Sequence, residues 1–310
     1  MESCTNCGAD ASFRCTGCLD APEYRDGDDV GVFYCSHECQ KSNWPSHKKS
    51  CNNMRRRKSL LRAVKLLKTT LLSYREVNYE YDLVKIEPRA RDLILKHDPT
   101  RMHLNKPAHF PNHLTSNVEH KEAALLKHTA VTSLSVLGPM TRTLLKGLVS
   151  RLEFVLIDIK NPPYPVKMNP PTAGLLDVMN TSPHLFVLAT LKGLGEKWVI
   201  DITGCQFGFK GALFPLDKYI TEKHCTLVTP IRPYNHTETQ DLDGIIATMG
   251  RLQPVPMSYM TKIAGYRRHF AALVKEHVDS SLIEGSDAEF EAKMNDFSAK
   301  VKEHISSYQN

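Results

Sequence analysis

The sequence predicts a small module that cannot build its own core, followed by an α+β domain with a β-hairpin or small antiparallel sheet and several helices. Three observations carry this. Seven of the nine cysteines fall in the first 51 residues, where large aliphatic side chains are few. Beyond residue 52, apolar residues recur with two different periods, three-to-four and two, which are those of helices and strands. The chain also closes on a well-marked helix, in which Ser286 and Glu289 form a capping box ahead of an apolar stripe at Phe290, Met294, Phe297, Val301 and Ile305.

Taken in order, residues 1–50 show little periodicity and contain Gly8, Gly17, Gly27 and Gly31. So short a stretch cannot bury enough apolar surface to fold unaided. Residues 54–75 read as a helix with Leu60, Val64, Leu67, Leu71 and Tyr74 on one face and Arg62, Lys65 and Lys68 off it. Shorter helical patterns follow at 89–97, 117–136 and 139–151. Glu153–Ile159 is an apolar, β-rich run that predicts a buried strand. The five prolines of residues 161–171 predict loop or polyproline II. His184–Leu191 and Trp198–Thr203 are strand-like, and the Lys-Gly-Leu-Gly-Glu-Lys between them suits a hairpin loop. Residues 257–283 read as helix. The expected organisation is a module at 1–52, a basic linker helix at 53–76 and an α+β body at 77–310 that ends in an amphipathic helix at 287–307.

Composition narrows the function classes. Apolar residues make up 41% and charged residues 24%, which is ordinary globular usage and excludes a disordered or collagen-like chain. No run approaches the roughly 18 apolar residues of a spanning helix, so no membrane partner is expected. The N-terminus shows neither a basic nor an apolar leader pattern, and a reducing cytoplasmic or nuclear location is expected. Charge is uneven. Residues 1–40 carry two basic and eight acidic side chains, and residues 41–75 carry eleven basic and no acidic ones.

In a reducing compartment, clustered cysteines point to metal rather than disulfides. The ligand types here come in pairs: Cys4 with Cys7, Cys15 with Cys18, Cys35 with Cys39, and His47 with Cys51. Two ligands a turn apart can hold one ion, and four pairs suffice for two tetrahedral zinc ions with every position filled by protein. Thiolate is a soft donor, and with one imidazole added, zinc is the natural occupant. Spacing leaves open which pairs share an ion.

The run from Tyr34 to Cys51, together with the two opening cysteine pairs, resembles a MYND-type zinc finger over residues 4–51. The resemblance implies interleaved sites, Cys4, Cys7, Cys35 and Cys39 around one zinc and Cys15, Cys18, His47 and Cys51 around the other. The stretch 19–34 is longer and more acidic than is usual in that family. MYND fingers are mainly protein-interaction modules that bind proline-containing peptides, and the matching groove positions are Ser36, Gln40 and Trp44. Trp44 also suits a small core plug, and His37 falls outside the ligand pattern. The body is similar in layout to the downstream region of fungal MYND-finger proteins, on Asp82–Glu87 and His184–Gly208. The fold class is therefore a small zinc-stabilised MYND finger followed by an α+β domain, and the expected function is that of a regulatory adaptor for a protein partner with a proline-containing peptide.

Two further readings compete. Arg55–Lys58 resembles a nuclear-localisation or polyanion patch, a route to nucleic acid, or else a solvated helix start. His184 and Asp201 resemble the histidine and aspartate of papain-like and transglutaminase-like hydrolases, in which the acid orients an imidazole that activates an upstream cysteine. Residues 52–204 contain no cysteine, however, and Cys205 follows the aspartate. Ser133 and Ser135 are the replacement nucleophiles. An inactive relic, or an ordinary hairpin with a polar pair at its edge, fits the same residues. A SET-domain methyltransferase is disfavoured, because Pro111–Leu114 is only a superficial echo of its Asn-His core motif and the C-terminal region holds no cysteine triplet.

Overall fold

The computed structural model describes residues 2–28, 31–98, 100, 108–171, 184–249 and 257–308. The finger contributes two short antiparallel strands, β1 (Phe13–Arg14) and β2 (Phe33–Tyr34). Helix α1 then runs unbroken over His37–Val77. It begins inside the finger, not at residue 53. Ser36 caps it, its hydroxyl accepting from the Cys39 amide at 3.2 Å. Pro45 lies within it and cannot donate to the preceding turn. Ligands on both sides of that proline, Cys39 before and His47 and Cys51 after, tie the flanking turns to the rest of the finger.

The body holds two sheets. One has three strands in the order β3 (Leu83–Pro88), β4 (Leu93–His97), β6 (Val166–Asn169), with β3–β4 antiparallel and β4–β6 parallel. The other is antiparallel throughout. Its main order is β10 (Cys225–Leu227), β5 (Val149–Ile159), β7 (His184–Leu191), β8 (Lys197–Ile200), β9 (Leu213–Pro215), and β11 (Arg232–Pro233) also pairs with β5. The helices are α2 (Val118–Leu125), α3 (Ala130–Val136), α4 (Gly138–Leu145), α5 (Leu216–Glu222), α6 (Gln240–Met249), α7 (Met257–His277) and α8 (Asp287–Ser306).

The β7–β8 hairpin forms as expected. Its loop turns on Gly193 and Gly195, both at positive φ, where a side chain would be strained. Strand β7 is apolar apart from His184 and Thr190 because both its faces are covered. Val187, Ala189 and Leu191 enter the main core with α1, α4, α7 and α8, whereas Phe186 and Leu188 join a second cluster with Val155, Ile157, Phe209 and Tyr219. Leu60, Val64, Leu67, Leu71 and Tyr74 of α1 all lie in the main core. Helix α8 has its capping box, and Phe290, Phe297, Val301 and Ile305 are buried.

Several expected elements differ. The end of 89–97 is strand, not helix: β4 is the middle strand of its sheet, so Leu93, Ile94 and Leu95 are all buried and the apolar run carries no strand period. The proline-rich 161–171 includes β6, in which Val166 and Met168 point inward and Lys167 and Asn169 outward. Residues 117–136 form two helices, separated at His128, whose φ is +61°. The helix expected over 139–151 stops at Leu145, Gly147 takes a positive φ, and β5 starts at Val149 rather than Glu153. Helix α7 stops at His277, and a 3-10 turn covers Ser280–Ile283.

The basic run is split: Arg55 and Arg56 are exposed, whereas Arg57 and Lys58 are tied into the fold. Arg57 is buried. It grips Glu196 of the body through Nε and Nη2, at 3.0 and 2.6 Å to the nearer carboxylate oxygens, and Asp28 of the finger through Nη1 at 2.7 Å. Arg56 donates to the Lys192 carbonyl at 2.8 Å, and Lys58 pairs with Asp287 at 2.9 Å. Arg62, expected off the buried face, is itself buried. It donates to the carbonyls of Ile283 and Gly285 and to Asp287, and its guanidinium lies 5.2 Å from the Phe290 ring centre. Residues 24–28 of the acidic stretch therefore dock on the body. Tyr24 packs against Trp198 at 5.3 Å and its hydroxyl accepts the Lys197 amide, while Trp198 Nε1 donates to Glu196. Opposite charges within one chain have neutralised each other at the seam between finger and body.

Candidate metal centre and the surface it supports

The eight expected ligands form two groups, Cys4, Cys7, Cys35 and Cys39, and Cys15, Cys18, His47 and Cys51, with the donor atoms of each group within 4.8 Å of one another. The grouping is the interleaved one. In the first, Cys7 and Cys35 sulfurs are 3.5 Å apart, Cys35 and Cys39 3.5 Å, and Cys39 and Cys7 3.7 Å. In the second, Cys15 and Cys51 sulfurs are 3.7 Å apart, and Cys18 Sγ is 3.4 Å from His47 Nε2. A tetrahedron with zinc–sulfur bonds of about 2.3 Å has edges of about 3.8 Å, and replacing one sulfur by nitrogen shortens its edges to about 3.6 Å. Both groups have zinc dimensions.

Each ligand pair is placed by a local device. The Cys4–Cys7 turn closes with Gly8 N donating to Cys4 O at 2.8 Å and Cys4 N donating to Ala9 O at 2.7 Å. The turn of Cys15–Cys18 rests on α1 at Cys51 and Arg55 only because Gly17 has no side chain. A Cβ there would lie 2.7 Å from Arg55 Nε and 2.8 Å from Cys51 Sγ. Cys39, His47 and Cys51 are spaced along α1, so one helix serves both sites. Behind the ligands sits a small cluster of Ala21, Val32, Tyr34 and Met54, and Asn43 donates to the Tyr34 hydroxyl at 3.0 Å.

Cys18, Cys35 and Cys51 resist ionising. Hydrogen bonds with Cys39, Cys7 and Cys4 push Cys35 up to about 12. Burial, reinforced by Cys15 and Cys51, pushes Cys18 up, and burial with Cys15 does the same to Cys51. Cys4 is the exception. Burial opposes its ionisation, but backbone N–H groups of Cys35, Asn6 and Cys7 outweigh it and bring the thiol down to about 6. A divalent cation at the centre of each group relieves this repulsion, because a coordinating thiol is deprotonated outright. With four protein donors each, the sites leave no position for water or substrate, and their role is structural.

The groove positions lie along one side of α1 at four-residue spacing. Ser36 is spent in part as the helix cap, Gln40 is half-buried one turn on, and Trp44 follows with 36% of its surface exposed. Trp44 packs one edge on His47 at 6.1 Å. It is therefore a partial plug as well as an exposed face. His37 is exposed at the helix start, 4.8 Å from Phe13, and belongs to neither ligand group.

His184 and Asp201 do meet. His184 Nε2 is 2.9 Å from Asp201 Oδ1, and both side chains are 1% exposed. Asp201 also accepts from Tyr219 Oη at 2.8 Å and from the Thr203 amide at 3.2 Å. Burial works against its charge, but His184, Tyr219 and Thr203 hold its carboxyl below the usual range. His184 Nδ1 has no hydrogen-bond partner among the described residues. The nucleophile candidates are otherwise engaged. Ser133 donates to Ala130 O, Ser135 accepts the Asp241 amide, and burial pushes Cys205 up to about 12. No local pattern announces Arg57, Asp28 and Glu196 as a unit, since they are far apart in the chain. Gly17 inside a ligand pair was a readable hint of close approach.

Residues 4–51 match the family model of the MYND finger. No curated protein and no solved structure matches the chain. The protein thus carries a MYND finger with two zinc sites, a module that commonly mediates protein–protein interaction. Among the described residues, no helix is long and apolar enough to cross a membrane.

Proposed function

We propose that the protein is a regulatory adaptor that recognises a proline-containing peptide of a partner protein on the Ser36–Gln40–Trp44 face of its finger. The observation that carries this reading is the half-open indole of Trp44 on a helix segment anchored by ligands on both sides. Such a face costs little entropy to present, and proline rings lose little freedom on docking. The chain's own proline-rich segment is committed elsewhere, as β6 against β4. Because the finger is bolted to the body through Arg57, a bound peptide is held at a fixed angle to the body.

Trp44 and Trp198 are the chain's two tryptophans, and Trp198 is fully buried. Titration with a proline-rich peptide should shift the emission of Trp44, with a Kd roughly micromolar for so small a contact. Trp44→Ala should abolish binding and leave the zinc content at two. Binding that survives both Trp44→Ala and Gln40→Ala would refute the reading.

A second reading, a papain- or transglutaminase-like hydrolase or an inactive relic of one, has one observation in its favour, the Asp201-anchored imidazole with Nδ1 unbonded. Labelling by a serine- or cysteine-reactive probe that disappears in His184→Ala would support it. Absence of labelling under all conditions leaves the pair as a buried tie between β7 and the segment after β8.

A further inference from the structure

The two zinc sites differ in a way that their shared role does not require. Every donor residue of the Cys15–Cys18–His47–Cys51 group is buried. In the other group only Cys4 is buried; Cys35 and Cys39 are half-buried and Cys7 is exposed. Charge accentuates the contrast. Three thiolates and an imidazole leave a zinc complex with a net charge of about −1, and four thiolates leave one of about −2. Arg55 lies beside Cys51 over Gly17, against the less negative site. The more electron-rich sulfurs are therefore also the accessible ones.

We propose that the Cys4–Cys7–Cys35–Cys39 site is a modification site for small oxidants and soft electrophiles, attacked first at Cys7, and that the buried site is the permanent staple. With a hydroperoxide, the Cys7 thiolate displaces hydroxide (or alkoxide) from the O–O bond and becomes a sulfenic acid. The neighbouring thiolate of Cys35 or Cys39, 3.5 or 3.7 Å away, then attacks that sulfur, forms the disulfide and expels hydroxide. Two electrons pass from two sulfurs to the peroxide, two protons from solvent neutralise the hydroxides, and zinc, left with two thiolates, is freed to solvent. This holds whatever the finger binds.

The test uses the full-length zinc-loaded protein and stepwise hydrogen peroxide, with zinc release followed by a chromogenic chelator and cysteine oxidation by peptide mass mapping. Release should be biphasic, the first zinc leaving at least about tenfold faster than the second, as exposure governs thiolate attack. The first phase should coincide with oxidation of Cys7 and of Cys35 or Cys39, with Cys15, Cys18 and Cys51 still protected. Release of both ions in one phase, or earlier oxidation of Cys15, Cys18 or Cys51, would overturn the proposal. Arg55→Ala should speed the second phase several-fold and leave the first unchanged. A zinc-bound sulfur is already a thiolate, so a nearby cation can only draw electron density from it. An unchanged second phase would remove Arg55 from the account.

Discussion

The finger and the body reach order by opposite routes. The finger's buried apolar cluster is small, and Cys4, Cys15, Cys18 and Cys51 within it are metal ligands. Its strands are two residues long. The body surrounds α1 with side chains from both sheets and from α4, α7 and α8. Coordination bonds are few, directional and cooperative, whereas packed apolar area is distributed and tolerates local loss. The finger should therefore fail site by site as its metal is lost, whereas the body should lose stability in small increments with each truncation and still melt cooperatively, although α1 belongs to both.

The largest test is removal of metal. A structural zinc contributes on the order of 10 kcal/mol to the fold that holds it. Metal analysis should find two zinc ions per chain, and chelation or Cys15→Ser should unfold residues 2–51. A fragment beginning at residue 54 should still melt cooperatively, at a temperature that chelator does not alter. Loss of the whole transition with chelator would erase the distinction between the regions.

The converse test is Phe270→Ala. Phe270 is fully buried against Tyr74, and truncation should cost the body about 3–5 kcal/mol. Zinc content should stay at two. Arg57→Ala addresses the seam, and by stranding the buried Glu196 it should cost about 3 kcal/mol or slightly more. Hydrogen exchange should show residues 19–28 loosening in this variant while both ions remain bound. Unaltered exchange there would mean that the finger is held by other contacts.

The smallest effect sharpens the body's side of the contrast. Arg62 and Lys58 lower the pKa of Asp287. A carboxylate whose folded pKa is depressed stabilises the protein above its unfolded value, near 4, and the stabilisation is lost as pH falls through the folded value. Asp287 is half exposed, so Asp287→Asn should cost less than about 1 kcal/mol at neutral pH. In the fragment from residue 54, the gap between the two melting curves should close below about pH 4. A gap that persists in acid would assign the effect to packing.

Much of this was readable in the chain. Ligand spacing identified the eight donors, and the resemblance paired them. The Lys192–Lys197 turn and the Ser286–Glu289 box marked a hairpin and a helix, because both signals are local. What stayed hidden was of two kinds. The first half of α1 is polar and contains Pro45, so neither periodicity nor propensity announces it; the metal ligands and the Ser36 cap hold it. The burial of Arg57 and Arg62 depends on partners more than a hundred residues away, Glu196 and Asp287, which no local pattern encodes. Likewise, β4 looked helical because a strand covered on both faces shows no alternation.

The continuity of α1 imposes a phase relation. Its 41 residues make a rod of about 60 Å with one residue every 100° or so of rotation. Cys51 faces the finger and Leu60 the body, and the angle between those directions is set by the number of residues separating them. Inserting or deleting one residue there would turn the zinc sites by about 100° around the rod, carrying Asp28 and Tyr24 away from Glu196 and Trp198. Only an added or removed stretch near a multiple of the helical repeat, about seven residues, would restore the alignment, at the cost of about 10 Å of displacement along the axis. The interval between Cys51 and Leu60 works as a gear with fixed teeth.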